Sequence, residues 1–81
     1  MEISKYEIFL KTVESGSLTK TAEIMGYTQP GISMMIKKLE EECGFVLFHR
    51  MKNGVELTGE GKRMIPIIRE LVNWQNQFEQ T

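Results

Sequence analysis

Glycine falls at positions 16, 26 and 44, and each time it closes a stretch whose apolar residues recur at three- and four-residue spacing. Glycine just past the last periodic residue is a common helix stop, because a left-handed residue there lets the chain turn back onto the helix's last carbonyls. Three helices are therefore predicted within the first 44 residues, short enough that they can bury their apolar faces only against one another. Ser17 (or Thr19) and Thr28 follow the first two stops as candidate N-caps, and Thr58 opens a final segment. No repeat, low-complexity tract or linker interrupts the chain.

The first helix is expected over about Ile3 to Ser15, with Ile3, Tyr6, Phe9, Leu10 and Val13 along its core face. The second spans about Leu18 to Met25, with Leu18, Ala22 and Met25 inward and the small Ala22 suited to a close helix crossing. Gly26-Tyr27-Thr28 is then a three-residue turn of the kind found in a helix-turn-helix. A third helix begins at Gln29 or Pro30, since proline is tolerated in a first turn, and runs to Cys43. Its inward stripe is Ile32, Ile36, Leu39 and Cys43, and the opposite side carries Pro30, Met34, Lys37, Lys38 and Glu41. Met34 stands out there, where a plain solvated helix would carry a charge.

After Gly44, the segment from Phe45 to Leu57 contains Asn53-Gly54, a strong signal for a two-residue type I′ hairpin turn with positive φ at both positions. A two-stranded β wing with a basic tip is expected, carrying His49, Arg50 and Lys52. The final helix starts after Thr58, with Glu60 near the positive end of its dipole, and runs to the C-terminus. Met64, Ile67, Ile68, Leu71, Trp74 and Phe78 form its main stripe and Ile65 and Val72 widen it, more apolar surface than so small a domain covers. A second copy of the chain is expected there, joined through Ile67, Leu71, Trp74 and Phe78, with Trp74 as anchor. Pro66, near the start of this helix, is expected to bend it.

Composition excludes several classes. No apolar run approaches the ~20 residues of a membrane span and no signal peptide opens the chain, so a cytoplasmic protein is expected. One cysteine, Cys43, and one histidine, His49, furnish neither an internal disulfide nor a four-ligand zinc site. All eleven acidic residues are Glu, and no nucleophile-base-acid constellation can be assembled, so no enzyme activity and no cofactor are expected. A net charge of −1 runs against nucleic-acid binding, but Lys37, Lys38, Arg50, Lys52, Lys62 and Arg63 cluster in one stretch, and the Glu40-Glu41-Glu42 run can point away from it.

Ala22, Thr28-Gln29-Pro30-Gly31-Ile32-Ser33, Ile36, Leu39-Glu40, Cys43-Gly44, Leu47-Phe48 and Arg50 together resemble the signature of LysR-type transcriptional regulators. The Ser15-Gly16-Ser17 turn and Leu57-Thr58-Gly59-Glu60-Gly61 extend the likeness over nearly the whole chain. The resemblance implies a mainly α fold, a winged helix-turn-helix of three helices plus a two-stranded wing, followed by a long linker helix that pairs antiparallel in a dimer. It divides the chain into a DNA-binding domain at 1–58 and a dimerisation helix at 59–81, and it places small-molecule effector binding in a C-terminal domain absent from this chain. It implies a bacterial regulator of double-stranded DNA, with the third helix in the major groove and the wing on flanking backbone or minor groove.

By that resemblance Gln29, Pro30, Ser33 and Met34 face bases, Lys37, Lys38, Arg50 and Lys52 lie nearer phosphates, and Thr28 and Asn53 complete the contacting set. Met34 departs from the arginine that many members carry at its position: arginine reads guanine O6 and N7, whereas a thioether packs on apolar groups such as the thymine methyl. The competing expectation is a protein-interaction module, in which a Met34-Met35 patch and the wide stripe of the last helix both bind protein.

Overall fold

Ser4 opens the first helix of the computed structural model, which describes residues 4–80: its hydroxyl accepts a hydrogen bond from the Glu7 N–H at 3.3 Å. The elements that follow are α1 (Lys5–Ser15), α2 (Leu18–Met25), α3 (Gln29–Cys43), β1 (Phe48–Met51), β2 (Gly54–Leu57) and α4 (Gly59–Gln80). Ser17 and Thr28 cap α2 and α3, accepting from Lys20 N–H and Gly31 N–H, so each helix begins where a side-chain oxygen satisfies an orphan amide. At the centre of the helix-turn-helix, Gly26 has φ 74° and hands the chain to Tyr27, whose N–H donates to Ala22 O. The winged helix-turn-helix architecture is as the sequence predicts, with β1 and β2 antiparallel.

The core is built from Ile8 and Phe9 of α1, Leu18 and Ala22 of α2, Ile32, Ile36 and Leu39 of α3, Leu47, Phe48 and Ile68. The Phe9 and Phe48 rings, 5.4 Å apart, join the first helix to the base of the wing. The face of α1 is a correction to the sequence reading: its fully buried residues are Ile8, Phe9 and Thr12, whereas Tyr6, Leu10 and Val13 pack half-buried on the flank. Thr12 hides this face from an apolar count, since it is polar yet satisfied within its own helix, its hydroxyl donating to Ile8 O at 2.8 Å. Ile3, assigned to this helix from the sequence, lies outside the described residues. Thr21 is equally buried, bonded to Ser17 O and to the Ser15 hydroxyl.

The hairpin turn also differs from expectation. Its central residues are Lys52 and Asn53, with Gly54 already in β2 opposite Met51, and Asn53 does not have positive φ. Gly54, at φ 147°, is needed for a tertiary reason: a Cβ there would run into the Gly16 carbonyl oxygen, to which the next residue's N–H, on Val55, donates at 3.0 Å. The wing is thereby held against the α1–α2 turn.

Thr58 performs two tasks between wing and last helix. Its hydroxyl donates to Val46 O at 2.7 Å and accepts from Gly61 N–H at 2.9 Å, capping α4 while tying it to the segment between α3 and β1. The helix then runs unbroken through the exposed Pro66. Its apolar residues separate into two stripes. Ile68 is fully buried and Met64, Ile65 and Val72 pack beside it on the core, whereas Ile67, Leu71, Trp74 and Phe78 are exposed, Trp74 by 62% and Phe78 by 72%. At 3.6 residues per turn the two stripes are roughly 110° apart around the helix.

Candidate nucleic-acid interface

Helix α3 presents an outward face opposite Ile32, Ile36 and Leu39 on which Gln29, Pro30, Met34, Lys37 and Lys38 are exposed and Ser33 is half-buried. The face has a polarity along its length. Gln29, Pro30, Ser33 and Met34 occupy its first turns without a formal charge, Lys37 and Lys38 follow, and the exposed Glu41 closes it. The segment able to lie against a polyanion is thus the first ten residues, about 15 Å of helix.

The wing folds back onto this face. Arg50 of β1 donates from Nη2 to the Ser33 hydroxyl at 3.0 Å, so its guanidinium is held beside the helix rather than at the wing tip. Lys52 and Asn53 form that tip. Gln29, Arg50, Met51, Lys52 and Asn53 line a cleft of about 480 Å³ together with Ser17, Leu18 and Thr19 from the start of α2. One surface therefore combines the N-terminal ends of two helices, which favour anions, with two cations from the wing.

The acidic run is arranged as the basic face requires. Glu40 turns inward, its Oε2 accepting from the backbone N–H groups of Leu47 at 2.7 Å and Phe48 at 3.2 Å. Glu42 pairs with Lys5 of α1 at 2.7 Å, and this hydrogen bond raises the Lys5 pKa above its ordinary value. Only Glu41 of the three has no such contact among the described residues. The net charge of −1 is thus a poor guide to the outward face of α3, because Glu40 is turned inward onto backbone amides and Glu42 is paired with Lys5 of α1.

Of the residues singled out from the sequence, Gln29, Arg50, Lys52 and Asn53 meet in the cleft and Ser33 is joined to them through Arg50. Pro30, Met34, Lys37 and Lys38 lie along the exposed helix face outside it. Thr28 is occupied as the N-cap, accepting from Gly31 N–H at 3.1 Å. Sequence reasoning missed Ser17, Leu18 and Thr19 as cleft residues; the signal was present in the α2 cap, but nothing local says that the wing returns to it. The Met34-Met35 patch does not form, because Met35 packs against the core and only Met34 faces outward. Cys43 is half-buried at the edge of the core. Burial, then Glu42 and Glu40, pushes its thiol pKa up, the reverse of what a reactive cysteine needs. Among the described residues no metal-binding cluster occurs and no helix is long and apolar enough to cross a membrane.

A family model described as bacterial regulatory helix-turn-helix protein, lysR family, matches residues 3–62. The chain is 45% identical over 78 residues to the HTH-type transcriptional regulator SoxR of Arthrobacter sp. (strain TE1826), covering 96% of this chain and 27% of that protein. It is 38% identical over 80 residues to the uncharacterized HTH-type transcriptional regulator YbhD of Escherichia coli (strain K12), covering 99% and 24%. The chain thus spans about a quarter of the length of these curated relatives. Among solved structures it superposes on the CbnR DNA-binding domain in complex with DNA with a TM-score of 0.89 at 26% identity, covering 99% of this chain and 92% of that one. The BenM DNA-binding domain on catB site 1 DNA gives 0.84 at 32% identity, covering 99% and 90%.

Proposed function

The chain belongs to the LysR family of bacterial regulatory helix-turn-helix proteins, and from that premise we propose that it is the sequence-specific, duplex-DNA-binding part of a transcriptional regulator. The observation that carries this reading is the single surface formed by the α2 start, the α3 face and the wing, joined by the Arg50–Ser33 bond. A helix enters the major groove by its N-terminal residues while flanking cations neutralise phosphates. Gln29, Pro30, Ser33 and Met34 are accordingly assigned to base edges, and Lys37, Lys38, Arg50 and Lys52 to phosphates, with Thr28 and Asn53 at the margins.

Residues 1–58 act as the reading head and 59–81 as the dimerisation helix, the first half of which shares the head's core through Ile68. The exposed stripe Ile67, Leu71, Trp74 and Phe78 has the four-three-four spacing of a helix-pairing seam, and supports a two-fold homodimer on a roughly palindromic site; membership of this family of DNA-binding regulators supports a cytoplasmic location. Leu71, Trp74 and Phe78 also line a groove of about 470 Å³ against Ser4 and Glu7 at the start of α1, room for a few side chains of a partner helix. A small-molecule effector, on this reading, is bound by residues outside this chain.

The test is a salt titration of binding to a duplex selected from a random pool and to an unselected duplex, for the wild-type chain, Gln29→Ala and Lys38→Ala. Gln29→Ala is expected to cost about 1–3 kcal/mol on the selected duplex and little on the other, and Lys38→Ala to weaken both and flatten the salt slope by about one. A salt-independent affinity, or equal losses on both duplexes for Gln29→Ala, refutes the assignment.

A further inference from the structure

Met34 is 61% exposed at the middle of the outward α3 face, although its neighbour Met35 and most apolar side chains of this helix are turned to the core. Around it on that face are Pro30, Ser33, Lys37 and Lys38. Pro30 has no side-chain donor, and the half-buried Ser33 hydroxyl accepts from Arg50 Nη2, which leaves its own O–H as a donor beside Met34. Met34 is therefore an exposed apolar side chain within the surface assigned to bases, with the Ser33 hydroxyl beside it and Lys37 and Lys38 behind.

A thioether has no hydrogen to donate, so it cannot read the guanine O6 and N7 acceptors. The apolar group that the major groove offers is the C5-methyl of thymine. That methyl sits at the same ring position in 5-methylcytosine, and it is missing from uracil and from cytosine. We propose that Met34 is a methyl-reading residue, setting specificity by packing its thioether on a pyrimidine C5-methyl group and favouring thymine or 5-methylcytosine over uracil or cytosine at one position of each half-site. The proposal rests on the reading of α3 as the helix that enters the major groove.

Burying one methyl-sized group is worth ~0.8 kcal/mol, which at RT ~0.59 kcal/mol corresponds to about a fourfold change in affinity. The assay uses the best duplex selected from a random pool by the full chain, with each thymine replaced singly by deoxyuridine. One thymine per half-site is expected to show about a fourfold loss in the wild-type chain and in Met34→Leu, and none in Met34→Ala. At that position a 5-methylcytosine·guanine pair should bind more tightly than cytosine·guanine by a similar factor, again only while residue 34 is apolar and long. Because Met34 touches solvent, Met34→Ala should melt at the wild-type temperature. Equal uracil penalties in wild type and Met34→Ala, or no uracil penalty at any thymine, overturn the proposal while the selected duplex still binds with a steep salt slope. Failure of every selected duplex to bind in a salt-dependent way overturns the placement of α3 in the groove, and the proposal with it.

Discussion

Removing the Glu40 carboxylate should loosen the wing without touching the surface assigned to DNA. Its Oε2 accepts from both Leu47 N–H and Phe48 N–H, where the chain leaves Gly44 and enters β1. Leu47 and Phe48 are buried, so these amides have no easy replacement partner in water. A hydrogen bond to a charged group contributes about 1.5–3 kcal/mol net. Two independent bonds would sum to about 3–6 kcal/mol, but these share one oxygen at a half-buried site and are worth less than that sum, so Glu40→Ala is expected to cost about 2–4 kcal/mol. A domain this size has a total stability of only about 4–12 kcal/mol, and at about 4–8 °C per kcal/mol its melting temperature should fall by at least about 8 °C. Glu40→Gln keeps an amide oxygen able to accept both bonds and should cost about 1 kcal/mol. Thermal and urea unfolding followed by circular dichroism give both values. If Glu40→Ala melts within a degree of wild type, or Glu40→Gln is as damaging as Glu40→Ala, the carboxylate does not hold the wing as described.

Three further outcomes follow from named contacts. Gly61→Ala places a Cβ against the Leu47 carbonyl oxygen and 2.7 Å from Leu57 Cδ2, an overpacking expected to cost about 1–3 kcal/mol; an unchanged urea midpoint would show that α4 can shift to accommodate it. If Leu71 and Trp74 form the seam, sedimentation at micromolar concentration should give a dimer for the wild-type chain and a shift towards monomer for Leu71→Ala with Trp74→Ala, and a monomeric wild type or an unaffected dimer counts against α4 as the joint. Because the Cys43 thiol is held above its ordinary pKa by burial and by Glu42 and Glu40, iodoacetamide should label it more slowly near neutral pH in the folded chain than in urea. The unfolded chain then ionises first as pH rises, so this group's contribution to stability is present below the ordinary thiol pKa and lost on passing above it; equal labelling rates in both states would contradict the shift.

Local chemistry decided much of this protein before any long-range contact. The stops at Gly16, Gly26 and Gly44 and the caps at Ser17, Thr28 and Thr58 act within one helical turn, so the boundaries of α2, α3 and the start of α4 could be read directly from the sequence. The outward face of α3 followed from the same periodicity, because Ile32, Ile36 and Leu39 leave only one side for Gln29, Pro30, Met34 and Lys37. What only the tertiary structure decided is which faces are covered and which residues meet partners far along the chain. Thr12 and Thr21 can take core positions because each hydroxyl finds an acceptor four residues back, Ile8 O and Ser17 O, while the packing of other elements over them does the burying. Gly54 serves the Gly16 carbonyl 38 positions away rather than the hairpin twist, and Glu40 faces inward because two wing amides need an acceptor. The apolar arc of α4 splits into a buried stripe at Ile68 and an exposed one at Trp74 because the domain covers only one side of the helix. Periodicity reports which residues share a face, whereas which face is covered depends on the elements that arrive against it.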